Sequence, residues 1–131
     1  NGTFRGNNHA FVTGKVTLEK FWKDDAFQKE VQAKSKILTE GLQKIAKLIP
    51  GAKLKGRGMM QGVDVGSGEM ASEITSRSFE KGLIIETSGA DDEVVKVLVA
   101  LTVPEETLRK GLDILLEAAR EASDTVKVAA E

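Results

Sequence analysis

With 131 residues, 40% hydrophobic and 30% charged content, the chain has the composition of an ordinary globular protein. Such a length is enough to bury roughly two-thirds of the unfolded surface. A net charge of −1 provides no global field for nucleic acid or an anionic membrane, and the lack of cysteine excludes disulfides and thiolate metal sites. No apolar run approaches the ~20 residues of a membrane span. The chain opens at Asn1, inside a polar loop, with neither an initiator Met nor a leader, and reads as the C-terminal third of a longer polypeptide.

The opening stretch, Asn1-Gly2-Thr3-Phe4-Arg5-Gly6-Asn7-Asn8-His9-Ala10-Phe11, combines two glycines, a hydroxyl, a cation and two amides ahead of an amphipathic run. Two readings are open. A glycine-punctuated loop feeding a helix suits an anion, through outward N–H groups and the helix dipole. The plainer reading is a helix start capped by Asn7 or Asn8. The helix itself spans about His9 to Trp22, with Phe11, Val12, Val16, Leu18, Phe21 and Trp22 as its apolar positions. Thr13, Gly14 and Thr17 weaken its propensity, so it needs tertiary support.

Asp25 and Gln28 suggest a capping box for a second, long helix. Phe27, Val31, Lys34, Leu38, Leu42, Ile45 and Leu48 carry its stripe, Lys34 being the one polar member, and Pro50-Gly51 ends it. Its lysines alternate with glutamates, which marks a solvated face. Ala52 to Val65 reads as a strand pair or a bent strand, interrupted by glycines 56, 58 and 62, with Lys53, Lys55 and Arg57 on an exposed strand face. Ser67 caps a third helix, with Met70, Ile74 and Phe79 on its buried side and Gly82 as its stop. Leu83-Ile84-Ile85 reads as a short buried strand. Thr87 to Asp92 is a loop, and Val94 to Val103 is a longer strand, central or covered on both faces, with Lys96 as its one charge. Pro104, Glu105 and Glu106 open a last helix with Leu108, Leu112, Leu115, Leu116 and Ala119 on its stripe. From about Ser123 the apolar spacing fades and fraying is expected. The order of elements gives an α+β domain: a small, mostly antiparallel sheet of three or four strands with helices over one face.

The wording of two stretches resembles a known family. Thr3-Phe4-Arg5-Gly6-Asn7 is similar to the Thr-Phe-x-Gly-Asn loop of class III, pyridoxal-phosphate-dependent aminotransferases. Asn8, where most of the family has Pro, together with Arg5 and His9, resembles the branch that makes 2,4-diaminobutyrate for ectoine synthesis. About fifty residues on, Lys55 to Asp64 is similar to the family's Arg-Gly-x-Gly-Leu-Met-x-Gly motif. The resemblance covers essentially the whole chain. It implies the C-terminal small domain of a fold type I enzyme, with residues 1–22 leading from the large domain and 23–131 forming the small one. It further implies amino transfer from L-glutamate to L-aspartate 4-semialdehyde, with pyridoxal 5'-phosphate as cofactor. A cytoplasmic homodimer or larger homo-oligomer acting on small amino-acid substrates is implied too, without nucleic acid, membrane or metal. The family's cofactor-bearing lysine lies upstream of the Thr-Phe-x-Gly-Asn loop, so no catalytic residue is expected here. Thr3 takes the family role of binding the cofactor phosphate of the neighbouring subunit. Lys96 stands where many members have an Arg that clamps the substrate carboxylate, and a lysine offers a point charge instead of a fork. Its alternative is a lysine reaching from the strand to water. An acetylornithine- or 4-aminobutyrate-type aminotransferase and a non-catalytic interaction module remain as other readings.

Overall fold

The computed structural model describes Gly2 and residues 5–129, so Thr3 lies outside the described residues. The elements run α1 (Asn8–Phe21), α2 (Ala26–Ala46), β1 (Lys53–Arg57), β2 (Met60–Asp64), α3 (Gly68–Glu80), β3 (Glu86–Ser88), β4 (Val94–Leu98) and α4 (Glu105–Ala129). The strands form one sheet in the order β1-β2-β4-β3, with every neighbouring pair antiparallel. This is the α+β arrangement expected from the sequence.

Register divides the sheet into two faces, because cross-strand partners share a side. Leu54, Val63 and Val95 fall in one row, and Gln61 and Val97 in the next row on the same side. Val63 and Val95 are buried, and α2, α3 and α4 complete this side of the molecule. The other side carries Lys53, Lys55, Arg57, Met60, Lys96 and Leu98 and is open, apart from the buried Val94 in the Lys53 row. The β1–β2 hairpin turns at Gly58-Met59. Gly58 has φ +63° at the first central position, which a type II′ turn reserves for glycine.

Leu38, Leu42 and Ile45 of α2 meet Leu108, Leu112, Leu115, Ala118 and Ala119 of α4 in the core. Gly41 sets the closeness of this seam: a Cβ there would stand 2.8 Å from Leu112 Cδ1. Ser67 accepts from the Met70 N–H at 3.3 Å, the expected cap. The cap of α2 differs from expectation. Asp24 Oδ1, not Asp25, takes the Ala26 N–H at 2.9 Å, while Asp25 pairs with Lys29.

Four further expectations are corrected. The inward positions of α3 are Ala71, Ile74 and Ser78, and Phe79 is 67% exposed. Leu83-Ile84-Ile85 is not a strand: the Leu83 N–H bonds Ser78 C=O to close the helix, Ile84 is exposed, and pairing starts only at Glu86. β4 stops at Leu98, where its partner β2 begins at Met60, so Val99–Val103 lies outside the sheet. β4 is central, but helices cover it on one side only. Finally, α4 continues to Ala129. Ala122 and Ser123 are buried, and Ser123 Oγ donates to Leu48 C=O at the end of α2.

Candidate functional site

Arg5 N–H donates to Gly2 C=O at 2.7 Å, and Gly6 has φ +79°, which makes a tight turn. Asn7 follows in an extended conformation and its Oδ1 accepts the His9 N–H at 3.0 Å. The cap is therefore Asn7, one of the two residues named for it. Arg5 thus comes three residues before the positive end of a fourteen-residue helix. No residue of α1 is buried, and Phe11, Val12, Val16, Leu18 and Trp22 are all exposed. Phe21 and Trp22 touch Phe27 at the start of α2.

Lys96 lies mid-strand on the open face. Its row reads Lys55, Gly62, Lys96, Glu86 across the four strands. Lys96 Nζ reaches Glu86 at 3.2 Å, and 30% of its side chain is exposed. Gly62, its neighbour in the row, has no side chain to crowd it. A Cβ there would come within 2.6 Å of Val95 C=O, so backbone approach keeps this position a glycine. Beside Lys96, a groove of about 330 Å³ runs between β4 and α4, lined by Leu83, Ile84, Val97, Leu98, Val103 and Leu108 among others. Lys96 thus borders a largely apolar cleft with its charge held by one well-hydrated carboxylate. The structure places Lys96 on the open face and leaves the opening loop far from it in sequence.

Lys55, the other cation of the row, bonds Asp64 at 2.9 Å and comes within 3.6 Å of Glu93. The bond from Lys55 and then the Gly66 N–H hold Asp64 below its ordinary value of 3.8. Backbone N–H groups, its own and that of Asp91, hold Glu93 below 4.5. Between α3 and α4, Lys81 does the same to Glu121, with Arg77 assisting. All three carboxylates have depressed values in the fold. They therefore stabilise it above their ordinary values, and that contribution is lost as pH falls through and below 4.5 to 3.8. The urea-unfolding midpoint should hold steady from about pH 7 to about pH 5 and fall steadily below about pH 4.5. A midpoint unchanged at about pH 3.5 would contradict this.

Sequence reasoning missed one charged contact of the interior. Lys34 Nζ bonds both Glu30 and, at 3.1 Å, Leu101 C=O. Its polar place in an apolar stripe was the only signal. No group of three or more His, Cys, Asp or Glu suited to a metal occurs among the described residues, and none of their helices is long and apolar enough to cross a membrane.

A family-wide sequence profile described as aminotransferase class-III matches residues 1–119. The chain belongs to this family. It is 51% identical over 126 residues to the diaminobutyrate–2-oxoglutarate transaminase of Halomonas elongata, covering 93% of this chain and 30% of that protein. The enzyme of the same name from Vibrio cholerae is 48% identical over 117 residues, covering 88% of this chain and 28% of its relative. The chain therefore spans under a third of the length of these curated relatives. Among solved structures, N-acetylornithine aminotransferase from Stenotrophomonas maltophilia superposes with a TM-score of 0.69 at 24% identity, over 93% of this chain and 32% of that one. That likeness carries the fold: the solved enzyme contains the same α+β unit.

Proposed function

We propose that the chain is the C-terminal part of a pyridoxal-phosphate-dependent enzyme that moves an amino group from L-glutamate to L-aspartate 4-semialdehyde. The products are 2-oxoglutarate and L-2,4-diaminobutyrate, the entry to ectoine synthesis. The observation that carries this reading is the 51% identity to a diaminobutyrate–2-oxoglutarate transaminase over nearly all of the chain. Residues 1–22 lead from the large domain and 23–131 form the small one, in a cytoplasmic homodimer or larger homo-oligomer.

The opening segment fits a phosphate. The start of α1 presents its positive end, and Arg5 adds a cation three residues before it. Within it, Thr3 would hold the cofactor phosphate of the neighbouring subunit through its hydroxyl. When bound, the cofactor supplies the electron sink that amino transfer requires. Lys96 binds the substrate carboxylate, which takes the place of Glu86 at its ammonium. As a point charge it sets no planar geometry, which suits a site that must accept two different carbon skeletons in turn.

The test uses the full-length polypeptide with L-glutamate as donor and three acceptors: aspartate 4-semialdehyde, N-acetylglutamate semialdehyde and succinate semialdehyde. The expected result is a clear preference for the first. Preference for either of the others moves the enzyme to the acetylornithine or 4-aminobutyrate type. The segment of residues 1–131 alone, given the cofactor, is expected to show no turnover, and borohydride reduction should fix no label on any single lysine. Stoichiometric labelling with turnover would refute that part.

A further inference from the structure

We infer that Lys34 is a positioning residue: its buried ammonium fixes the crossover that leaves the Lys96 strand, and with it the stance of Lys96 toward a substrate carboxylate. The inference rests on the reading of Lys96 given above. Lys34 is 5% exposed, the one charged side chain buried to this degree among the described residues. A buried cation is unfavourable unless well partnered. Glu30, one helical turn earlier, is 54% exposed and could pair with a lysine at the surface without any burial. What burial adds is the reach to Leu101 C=O, 67 residues away in sequence.

Leu101 follows Lys96 by five positions, beyond the end of β4, where no sheet ladder holds the backbone. Among the described residues the crossover keeps four ties: the Val103 N–H to Ala100 C=O bond, the buried Val103 side chain, Val99 half-buried against the core, and Lys34. Leu98 and Leu101 contribute little grip, being 66% and 39% exposed. Lys34 is thus the direct tie from α2 to the segment on which the Lys96 strand ends. A methionine in its place fills similar space, and the partners it leaves, Glu30 at 54% and Leu101 at 39% exposed, can turn to water, so no uncompensated buried charge remains. Stability and positioning can therefore be separated.

The experiment compares Lys34→Met, Lys34→Arg and Lys96→Met in the full-length enzyme. It reads amide hydrogen exchange over residues 99–103, KM and kcat with L-glutamate, and the urea midpoint. For Lys34→Met the expected result is a retained midpoint, faster exchange at 99–103, and a KM for glutamate raised roughly tenfold with kcat within about twofold. Lys34→Arg, which keeps the donor, should recover most of the KM. Exchange or KM at the wild-type level in Lys34→Met would overturn the inference. So would a KM change accompanied by equal losses in kcat and midpoint, the mark of a merely structural role. If Lys96→Met leaves KM unchanged, the carboxylate role of Lys96 falls and this inference with it. A raised KM in Lys96→Met beside an unchanged one in Lys34→Met overturns the inference alone. A wild-type enzyme that does not turn over glutamate sinks the proposed function itself and this reading too.

Discussion

In the full-length enzyme, Thr3→Val is expected to weaken cofactor binding by roughly ten- to a hundredfold. A hydrogen bond to a charged acceptor is worth about 1.5–3 kcal/mol, and each 1.4 kcal/mol is about one decade of affinity. Valine keeps the shape of threonine and removes only the hydroxyl, so the loss reports the bond. Thr3→Ser keeps the hydroxyl and should lose little. Fluorescence titration of the apoenzyme with the cofactor measures both. The phosphate is proposed to belong to the neighbouring subunit, and mixed dimers test that placement. A Thr3→Val subunit is paired with one whose cofactor-bearing lysine is replaced. If the loop acts across the interface, the site with the intact lysine receives an intact Thr3 from its partner and binds normally. Affinity unchanged by Thr3→Val, or a full defect at that lysine-bearing site, rules the assignment out.

Leu42→Ala should destabilise the fold by about 2–5 kcal/mol, through lost transfer energy and the cavity left behind. Leu42 is fully buried in α2, at the seam with α4 where Gly41 already lets Leu112 come close. A seam drawn that tight leaves little slack for α4 to collapse into the gap. Single domains hold only about 5–15 kcal/mol of stability in total, so the change is a large share. The urea midpoint should fall with its slope unchanged. Phe79→Ala is the control: two-thirds exposed, it should shift the midpoint by no more than about 0.5 kcal/mol. A loss at Phe79 as large as that at Leu42 would mean that α3 packs otherwise than described.

The difference between those two residues shows what sequence alone can give. Local chemistry was legible: Ser67 caps its helix with a bond to a residue three positions away, and Asn7 does the same two positions away. The α2 and α4 stripes were legible because their period is long and strict. Phe79 misled because an aromatic outweighs a serine in any apolar pattern, while the helix turns Ser78 inward and satisfies its hydroxyl on Ile74 C=O. Leu83-Ile84-Ile85 and the tail of the Val94–Val103 run misled for a shared reason. Apolar residues read as strand, but a strand ends where its partner ends, and β2 gives out opposite Leu98. In the site, the wording of the opening loop carried the family, and the matching profile agrees. Lys96 was visible as a lone charge, whereas its pairing with Glu86 depends on a register that no local pattern encodes. Lys34 was visible only as an anomaly, since its carbonyl partner is 67 residues distant.

The two margins of the sheet bear on how this segment meets other copies of itself. An unpaired strand is a template on which a second chain can lay its own backbone. At one margin β1 sends Lys53, Lys55 and Arg57 out along its open side, so that a like strand arriving there would bring cation against cation. At the other margin β3 is three residues long, too short to seat a visitor in register. The core strands are thus guarded from runaway stacking by repulsion on one flank and by brevity on the other. That leaves the exposed apolar face of α1 free to be sticky without putting the sheet at risk.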